Sequence, residues 1–355
     1  MNKKRDKKKF KRRNVRINNV KIDDIDNFEQ HEVREEKRAK SKLVEKSEFS
    51  QKSNLELEPG RVLEVHSNNR CLVKLAGETV MCTVGGRLKQ VNFTSRRLIA
   101  AGDFVQVDVK NGYRIEEIAV RKNSLIRFTD ESFQREIVIA SNIDQVIVTT
   151  SAHRPEINFG LVDRYICSAE LFGITPIICI NKIDLETEDD DFEYDYSYYE
   201  DNGYKVILTS VETGEGIAEL KEILKDKETV FSGPSGVGKS SLINCLQPGL
   251  NLTVSQISDY SEKGTHTTTT ATMKEWDFGG YLVDTPGIKT FSLNKTYKEL
   301  LARSFPGFQQ ASKLCKFNNC THTHEIKCAV QEQMETGHIP VERYESYLRI
   351  LESLE

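Results

Sequence analysis

At 355 residues, 38% of them hydrophobic, the chain can bury more than one core, and we expect two or three domains. It holds no run of the roughly 20 apolar residues that cross a bilayer, and its first residues are too charged for a secretory signal, which argues against a membrane or exported protein. Its eight cysteines lack the density of a small disulfide scaffold, so we expect a soluble, cytoplasmic protein whose cysteines are thiols or metal ligands.

Positive charge is concentrated at the N-terminus, although the whole chain has a formal net charge of −4. Residues 1–16 contain ten Lys or Arg side chains and a single acid, Asp6, for a local charge of +9. Such a run repels itself and cannot bury apolar surface, so we expect residues 1–55 to be a disordered tail. Its cations can displace counterions from RNA, which makes RNA the natural partner; a solubilising tail without specific use is the alternative.

The next segment is rich in short β-type runs. Five of them are separated by Gly, Asn or Asp turn residues, at 61–65, 71–75, 79–84, 104–109 and 113–118. Five strands with no helical run between most of them predict a small barrel over residues 56–122. A barrel of the oligonucleotide-binding type fits that count and would suit an RNA partner, while a spacer that binds nothing is the alternative.

From about Ile143, strand-like and helical patterns alternate. We expect strands at 144–149, 176–180, 205–209 and 228–231, and helices at 159–172 and 217–224. Alternation of this kind predicts a parallel sheet covered by helices, which we assign to residues 123–293. In the acidic segment 186–201, Phe192, Tyr196 and Tyr199 have helical spacing, which indicates a solvated helix with one aromatic stripe against the sheet.

A phosphate-binding loop is the strongest signal in the chain. The pattern G-x-x-x-x-G-K-[ST] follows an apolar strand and precedes a helix at 241–246. Its residues, with the first helical position, are Gly233, Pro234, Ser235, Gly236, Val237, Gly238, Lys239, Ser240 and Ser241. The glycines let backbone N–H groups approach phosphates, Lys239 should reach the β- and γ-phosphates and aid catalysis, and Ser240 should hold Mg²⁺.

A second motif indicates which base is bound. It comprises Asn181, Lys182, Ile183 and Asp184, after the apolar run 177–180. This motif resembles the guanine-specificity element of GTPases and should lie at the carboxyl edge of the sheet, where ligands gather. The Asp184 carboxylate can accept from the ring N–H and the amine of guanine, whereas adenine offers no such donor pair. Thr209 and Ser210, after the next strand, resemble the loop that backs the base.

Switch candidates follow the phosphate loop. Asp284 and Gly287 belong to a D-x-x-G element, whose Asp supports Mg²⁺ and whose Gly amide senses the γ-phosphate. In the threonine-rich segment 264–270, we expect Thr268, or else Thr269, to complete the Mg²⁺ shell. A Gln that would orient water is missing after the D-x-x-G glycine, since position 288 is Ile. His266 is the internal candidate for the catalytic base, and a structural histidine is the alternative.

The motifs stand in an unusual order. The guanine element precedes the phosphate loop, and the two switch elements come last, so the chain is circularly permuted relative to familiar GTPases. The same sheet can still form, because the termini of compact domains often lie close together. The switch segment then runs directly into the C-terminal region.

The five cysteines outside the C-terminal region sit in or beside apolar runs, and we interpret them as packing residues: Cys71, Cys82, Cys167, Cys179 and Cys245. The C-terminal region instead has the spacing of a metal site. Cys315, Cys320 and Cys328, with either His322 or His324, supply three thiolates and one imidazole, the closed ligand set of structural zinc. A following amphipathic helix is predicted from four apolar positions at helical spacing, namely Val341, Tyr344, Leu348 and Leu351. We assign residues 294–355 to this zinc-binding helical domain.

Over about residues 56–355 the sequence resembles the RsgA family of bacterial GTPases that depend on the small ribosomal subunit. The resemblance rests on the permuted motif order, the G-x-H-T-T-T element at 264–269 and the cysteine spacing. It implies that His322 is the fourth zinc ligand, and that barrel, GTPase and zinc domains contact 16S rRNA. It also implies GTP hydrolysis to GDP stimulated by the small subunit, release after hydrolysis, and a role in late subunit maturation.

We expect a monomer that binds GTP or GDP and no membrane. Two other function classes fit parts of the sequence. A GTP-dependent signalling switch that binds protein would keep every nucleotide motif but give no role to the basic tail. A nonhydrolysing RNA-binding module would use the phosphate loop only to hold nucleotide.

Overall fold

The computed structural model describes residues 55–66, 70–89, 98–128, 136–186, 192–250, 271–285, 293 and 295–354. Four predicted site residues lie outside these ranges, namely His266, Thr268, Thr269 and Gly287. The basic tail predicted over residues 1–55 also falls outside them, apart from its last residue. The helices and strands that the structure describes all belong to one compact unit, Glu56–Glu355. The domain boundaries within that unit stay predictions.

The predicted barrel is present as five strands of the described chain: β1 Leu57–Val65, β2 Arg70–Lys74, β3 Thr79–Val84, β4 Phe104–Asp108 and β5 Arg114–Ile118. Their order is β1-β2-β3-β5-β4, and β4 pairs back onto β1, which closes the barrel. Side chains alternate across each strand, so one set points inward, including the fully buried Val62, Val73, Val107 and Ile115. A four-residue helix, α1 Gly86–Lys89, was not predicted.

A β-hairpin that the sequence patterns did not predict follows the barrel. It consists of β6 Ser124–Phe128 and β7 Glu136–Ser141, paired antiparallel. The buried Asp103 carboxylate fastens it to the barrel, because it accepts hydrogen bonds from Ser141 Oγ at 2.6 Å and Arg121 Nε at 2.7 Å. Arg121 also neutralises the charge on Asp103, which offsets the cost of burying it.

The α/β part follows the predicted alternation. In chain order it comprises β8 Gln145–Ser151, α2 Phe159–Leu171, β9 Thr175–Asn181, α3 Phe192–Asp201, β10 Lys205–Thr209, α4 Ile217–Leu224, β11 Glu228–Ser232, α5 Lys239–Leu246, β12 Thr272–Glu275 and β13 Tyr281–Asp284. The strand order is β10-β9-β8-β11-β13-β12, and every pair is parallel except β12 with β13. Every residue of the central strand β8 is buried, as expected for a sheet covered on both faces.

The barrel and the α/β sheet are continuous. Strand β12 pairs antiparallel with β1 at Glu64 and Thr272, so eleven strands of the described chain form one sheet. Two ion pairs cross the same junction: Arg61 to Glu228 at 2.8 Å and Lys74 to Glu275 at 2.9 Å. The barrel is therefore bonded to strands of the α/β part.

The C-terminal region is helical, with α6 Leu301–Ser304, α7 Phe308–Ser312, α8 Ala329–Glu335 and α9 Val341–Glu352. Its core includes Phe305, Phe308 and Tyr347, whose rings lie 4.6–5.5 Å apart. Of the predicted apolar stripe on α9, Tyr344 and Leu351 are buried, but Val341 is 49% exposed. Tyr347 and Ile350 face inward in addition. None of the helices in the described ranges has the length and apolarity that crossing a membrane requires.

Candidate nucleotide site and metal cluster

The predicted nucleotide motifs meet at one edge of the sheet. Asn181 is the last residue of β9, Ser232 the last of β11 and Asp284 the last of β13. Because these strands are parallel, their carboxyl ends lie on the same side, where open α/β sheets bind ligands. The permuted chain order therefore does not separate the motifs in space.

The phosphate loop has the backbone that its glycines allow. Gly233, Gly236 and Gly238 have φ values of +146°, +83° and +94°, a region that other residues rarely adopt. At Gly233 a Cβ would collide with the Thr149 carbonyl, and at Gly238 with the Asn181 side chain. Helix α5 begins directly after Gly238, so its free N–H groups face the loop.

Lys239 bonds to its own loop. Its ammonium donates to the carbonyls of Gly233 at 2.9 Å and Pro234 at 2.6 Å. Burial lowers the pKa of Lys239 to about 8, because the charged form is partly desolvated. A phosphate oxygen is a stronger partner for an ammonium than a neutral carbonyl, so an anion in the loop would be favoured.

Ser240 and Asp284 have the chemistry of magnesium ligands. The buried Ser240 hydroxyl oxygen has no hydrogen-bond partner among the described residues. An unsatisfied buried hydroxyl costs about 1–3 kcal/mol, which a bound cation would recover. Asp284 lies in an ion pair with Lys274, 3.4 Å away, and both side chains are about one third exposed. These oxygen donors fit Mg²⁺, which prefers oxygen ligands.

The guanine motif is bonded to the phosphate loop. Asn181 Nδ2 donates to the Val237 carbonyl at 2.9 Å, and Thr209 Oγ1 donates to Asn181 Oδ1 at 3.2 Å. Lys182 Nζ donates to the Gly236 carbonyl at 2.6 Å and also to the Arg154 carbonyl. Two consecutive side chains of the base motif therefore hold the phosphate loop in place.

Asp184 presents a carboxylate to solvent beside Ser210. Its side chain is exposed, and Oδ1 accepts a hydrogen bond from Ser210 Oγ at 2.5 Å. The Ser210 hydroxyl also accepts from the Thr213 N–H at 3.1 Å, which fixes its orientation. Ser210 therefore holds the carboxylate while its outer edge stays open to a donor pair such as that of guanine. Ile183, between Lys182 and Asp184 in the sequence, packs against the core.

The loop after β8 also reaches this edge, although no sequence motif points to it. Arg154 contributes only its carbonyl oxygen to Lys182, and Pro155 packs beside Gly236. A carbonyl contact leaves no side-chain pattern in the sequence. The available signal was positional, since this loop follows the carboxyl end of the strand between the two motif strands.

The C-terminal ligand candidates form one cluster. The ligand atoms of Cys315, Cys320, His322 and Cys328 all lie within 4.8 Å of one another. Cys315 Sγ is 3.9 Å from Cys328 Sγ, and His322 Nδ1 is 3.6 Å and 3.3 Å from these two sulfurs. Zn–S bonds of about 2.3 Å in a tetrahedron imply ligand separations of about 3.8 Å, so the set fits zinc.

The cluster distinguishes the two histidines. His322 is buried, and its Nε2 is 3.2 Å from Ser312 Oγ, so a Nδ1 that binds metal leaves an Nε2–H to donate to that hydroxyl. His324 instead contacts Thr323 Oγ1 and lies outside the cluster. Tyr344 on α9 donates to the His322 carbonyl at 2.6 Å, which ties the ligand loop to the closing helix.

Two features lie outside the predicted nucleotide and metal sites, namely the Cys245 thiol and a large cavity. Cys245 is exposed on α5, so its interpretation as a packing residue was wrong; Cys71, Cys82, Cys167 and Cys179 are buried as expected. A cavity of about 910 Å³ lies at the amino ends of β9 and β10, opposite the nucleotide motifs. None of the predicted site residues that the structure describes lines it.

Comparison with known proteins gives a consistent result. Residues 118–294 match the model of the RsgA GTPase family. The small ribosomal subunit biogenesis GTPase RsgA of Flavobacterium psychrophilum is 40% identical over 286 residues, covering 78% of this chain and 87% of the relative. Its namesake from Thermotoga maritima is 37% identical over 303 residues, covering 83% and 96%.

Two solved structures are also similar. The crystal structure of YjeQ from Thermotoga maritima has a TM-score of 0.69 and 34% identity, covering 84% of this chain and 99% of that chain. YloQ, a circularly permuted GTPase, has a TM-score of 0.66 and 28% identity, covering 86% and 97%.

Proposed function

Since the chain belongs to the RsgA GTPase family, whose members are GTP hydrolases, we propose that its partner is the small ribosomal subunit and that this subunit stimulates its hydrolysis of GTP. In this proposal it assists late maturation of the subunit and leaves after GDP and phosphate have formed. The GTP-binding part is best supported by the bonding of Asn181 and Lys182 to the phosphate loop, which joins a guanine motif and a triphosphate cradle in one site. The ribosomal part is supported by the relatives named small ribosomal subunit biogenesis GTPase.

Each group in this site has a distinct role. Asp184, held by Ser210, accepts two hydrogen bonds from the guanine ring. The amides of the phosphate loop and of the α5 N-terminus bind phosphate oxygens, and Lys239 exchanges its loop carbonyls for the β- and γ-phosphates. Ser240 and Asp284, with Thr268 or Thr269, would hold Mg²⁺, which neutralises phosphate charge when bound.

The attacking water needs a group that the D-x-x-G element does not supply. Position 288 is Ile, which cannot orient water. We assign this role to His266, with the alternative that His266 only shapes its loop. In both cases we expect slow intrinsic GTP hydrolysis that is accelerated when the protein binds the small ribosomal subunit.

The barrel, the zinc domain and the basic tail form the proposed RNA contacts. The barrel has the five-strand closed order used by oligonucleotide-binding folds. The partner RNA is 16S rRNA, and a cytoplasmic monomer is the proposed acting form. The Cys₃His cluster would stabilise the C-terminal domain through zinc and leaves no coordination position for catalysis.

The stimulation test measures GTP turnover with and without purified small subunits. Wild type should accelerate on the subunits, Lys239→Ala should lose turnover in both conditions, and the exposed control Lys225→Ala should behave as wild type. Turnover that is unchanged by subunits would favour a protein-binding signalling switch. Full cellular function of Lys239→Ala would favour a nonhydrolysing RNA-binding module.

Base recognition can be tested by exchanging the base. Asp184→Asn replaces an acceptor with an amide that can donate to the additional carbonyl of xanthine. GTP affinity should fall at least about tenfold while affinity for xanthosine triphosphate rises, because two charge-assisted hydrogen bonds are lost. The exposed control Asp277→Asn should change neither. Unaltered GTP binding by Asp184→Asn would contradict the assignment.

A further inference from the structure

The segment after β8 runs beside the guanine motif. We call residues 152–157 the β8–α2 loop. In the parallel register of β8 and β9, Ser151 lies opposite Asn181, and the Ala152 N–H donates to the Asn181 carbonyl at 2.9 Å. The loop thus starts at the point where the base motif starts, and it continues toward the phosphate loop.

Lys182 joins three segments. Its ammonium donates to the Gly236 carbonyl in the phosphate loop and to the Arg154 carbonyl in the β8–α2 loop. Partial burial lowers the pKa of Lys182, because the charged form is desolvated between the loops. Its position therefore depends on where the Arg154 carbonyl is held.

A hydrogen bond from Ser151 to the Pro155 carbonyl closes the loop in which the Arg154 carbonyl lies. Ser151 is fully buried, and its hydroxyl donates to the Pro155 carbonyl at 2.8 Å, across four residues. Within this closure Arg154 has a φ of +52°, a conformation that a side-chain-bearing residue keeps only when its surroundings impose it. Pro155 packs against the phosphate loop, 3.6 Å from the point where a Cβ on Gly236 would lie.

We propose that Ser151 is a positioning residue for nucleotide retention: its hydroxyl closes the β8–α2 loop so that the Arg154 carbonyl keeps Lys182 bonded to the phosphate loop. The inference rests on the proposed function, since it requires a guanine nucleotide in this site. Asn181 and Lys182 are the side chains by which the base motif holds the phosphate loop. When Ser151 loses its hydroxyl, the Lys182 link loosens and bound nucleotide leaves faster.

The test measures dissociation of a fluorescent GDP analogue chased with excess GDP. Ser151→Ala should raise the dissociation rate about fivefold, the worth of one hydrogen bond. Single-turnover hydrolysis of bound GTP should stay within about twofold of wild type, because Ser151 contacts no reacting group. The matched control is Ser168→Ala, which removes another fully buried hydroxyl, bonded to the Arg164 carbonyl within α2, and should not change dissociation.

A double-mutant cycle shows whether Ser151 acts through Lys182. In a Lys182→Met background, Ser151→Ala should add less than about twofold to the dissociation rate. A full fivefold addition in that background, or an unchanged rate for Ser151→Ala alone, would overturn the inference. The inference would also be overturned if Ser151→Ala slowed single-turnover hydrolysis by the same factor as it raised the dissociation rate, because that result indicates general damage to the fold. Failure of the wild type to bind the analogue would instead overturn the proposed function itself.

Discussion

Removal of Arg343 should weaken the packing of the closing helix α9 against helices α2 and α3. Arg343 on α9 is buried, and its Nη1 lies 3.2 Å from Asp163 Oδ2 on α2. The same nitrogen donates to the Tyr199 hydroxyl at 2.6 Å, which donates to Asp163 Oδ1 at 2.6 Å. Arg343→Met leaves the fully buried Asp163 carboxylate without its cation. Loss of one partner of a buried ion pair costs about 3–5 kcal/mol.

The assay is thermal and denaturant unfolding of matched variants. At an unfolding entropy of about 2 cal/mol/K per residue, a loss of about 4 kcal/mol corresponds to a fall of roughly 6 °C in the unfolding midpoint of the unit Glu56–Glu355. Arg349→Met, on the same helix, removes an exposed pair with Glu345 at 3.5 Å and should cost less than about 0.5 kcal/mol. Asp163→Asn combined with Arg343→Met should recover at least half the loss, because no buried charge remains. A cost below about 1 kcal/mol for Arg343→Met, or no recovery in the double variant, would refute the reasoning.

Two further predictions concern the metal cluster and pH. Chelation of metal or the change Cys320→Ser should abolish bound zinc, measured by atomic absorption, and lower the unfolding midpoint, whereas Cys245→Ser at an exposed thiol should do neither. Burial and the neighbouring Asp144 raise the pKa of Glu228 from 4.5 to about 7. A raised folded-state pKa gives stability that is complete below pH 4.5 and lost as pH rises through 7. Glu228→Gln does not titrate, so the unfolding free energy of this variant should rise relative to that of wild type between those pH values, and parallel pH profiles would contradict this.

Local patterns predicted most of the fold. The barrel strands and the strand-helix alternation were predictable because alternating apolar residues and turn residues are properties of short segments. Strand β12 was not, since its sequence Thr-Met-Lys-Glu buries only Met273 well. It is a strand because β13 on one edge and β1 on the other supply its hydrogen bonds. Such pairing between distant segments leaves no mark in the local sequence.

The candidate site shows the same contrast between local motifs, which were predictable, and contacts between distant segments, which were not. The phosphate loop and the guanine motif are each one unbroken stretch of sequence, so the spacing of their residues was enough to predict them. The contact of Lys182 with the Arg154 carbonyl uses backbone, which any residue could offer. The packing role predicted for Cys245 is wrong because its hydrophobic neighbours in sequence are not its neighbours in space. On α5 the residues Leu242, Ile243 and Leu246 face the core, which turns Cys245 to the surface.

The sheet also explains why the permuted order does not disrupt the site. Strand β11, which leads into the phosphate loop, lies between β8 from earlier in the chain and β13 from later. Its neighbours are therefore fixed by sheet position and not by motif order. Strand β12 also links the site to the barrel. It is hydrogen-bonded on one edge to β13, which ends in Asp284, and on the other edge to the barrel strand β1. A rotation of the barrel against the nucleotide edge would have to break the Glu64–Thr272 pairing and the ion pairs Arg61–Glu228 and Lys74–Glu275. Three adjacent strands, β1, β12 and β13, therefore connect the barrel to the Asp284 end of the nucleotide site.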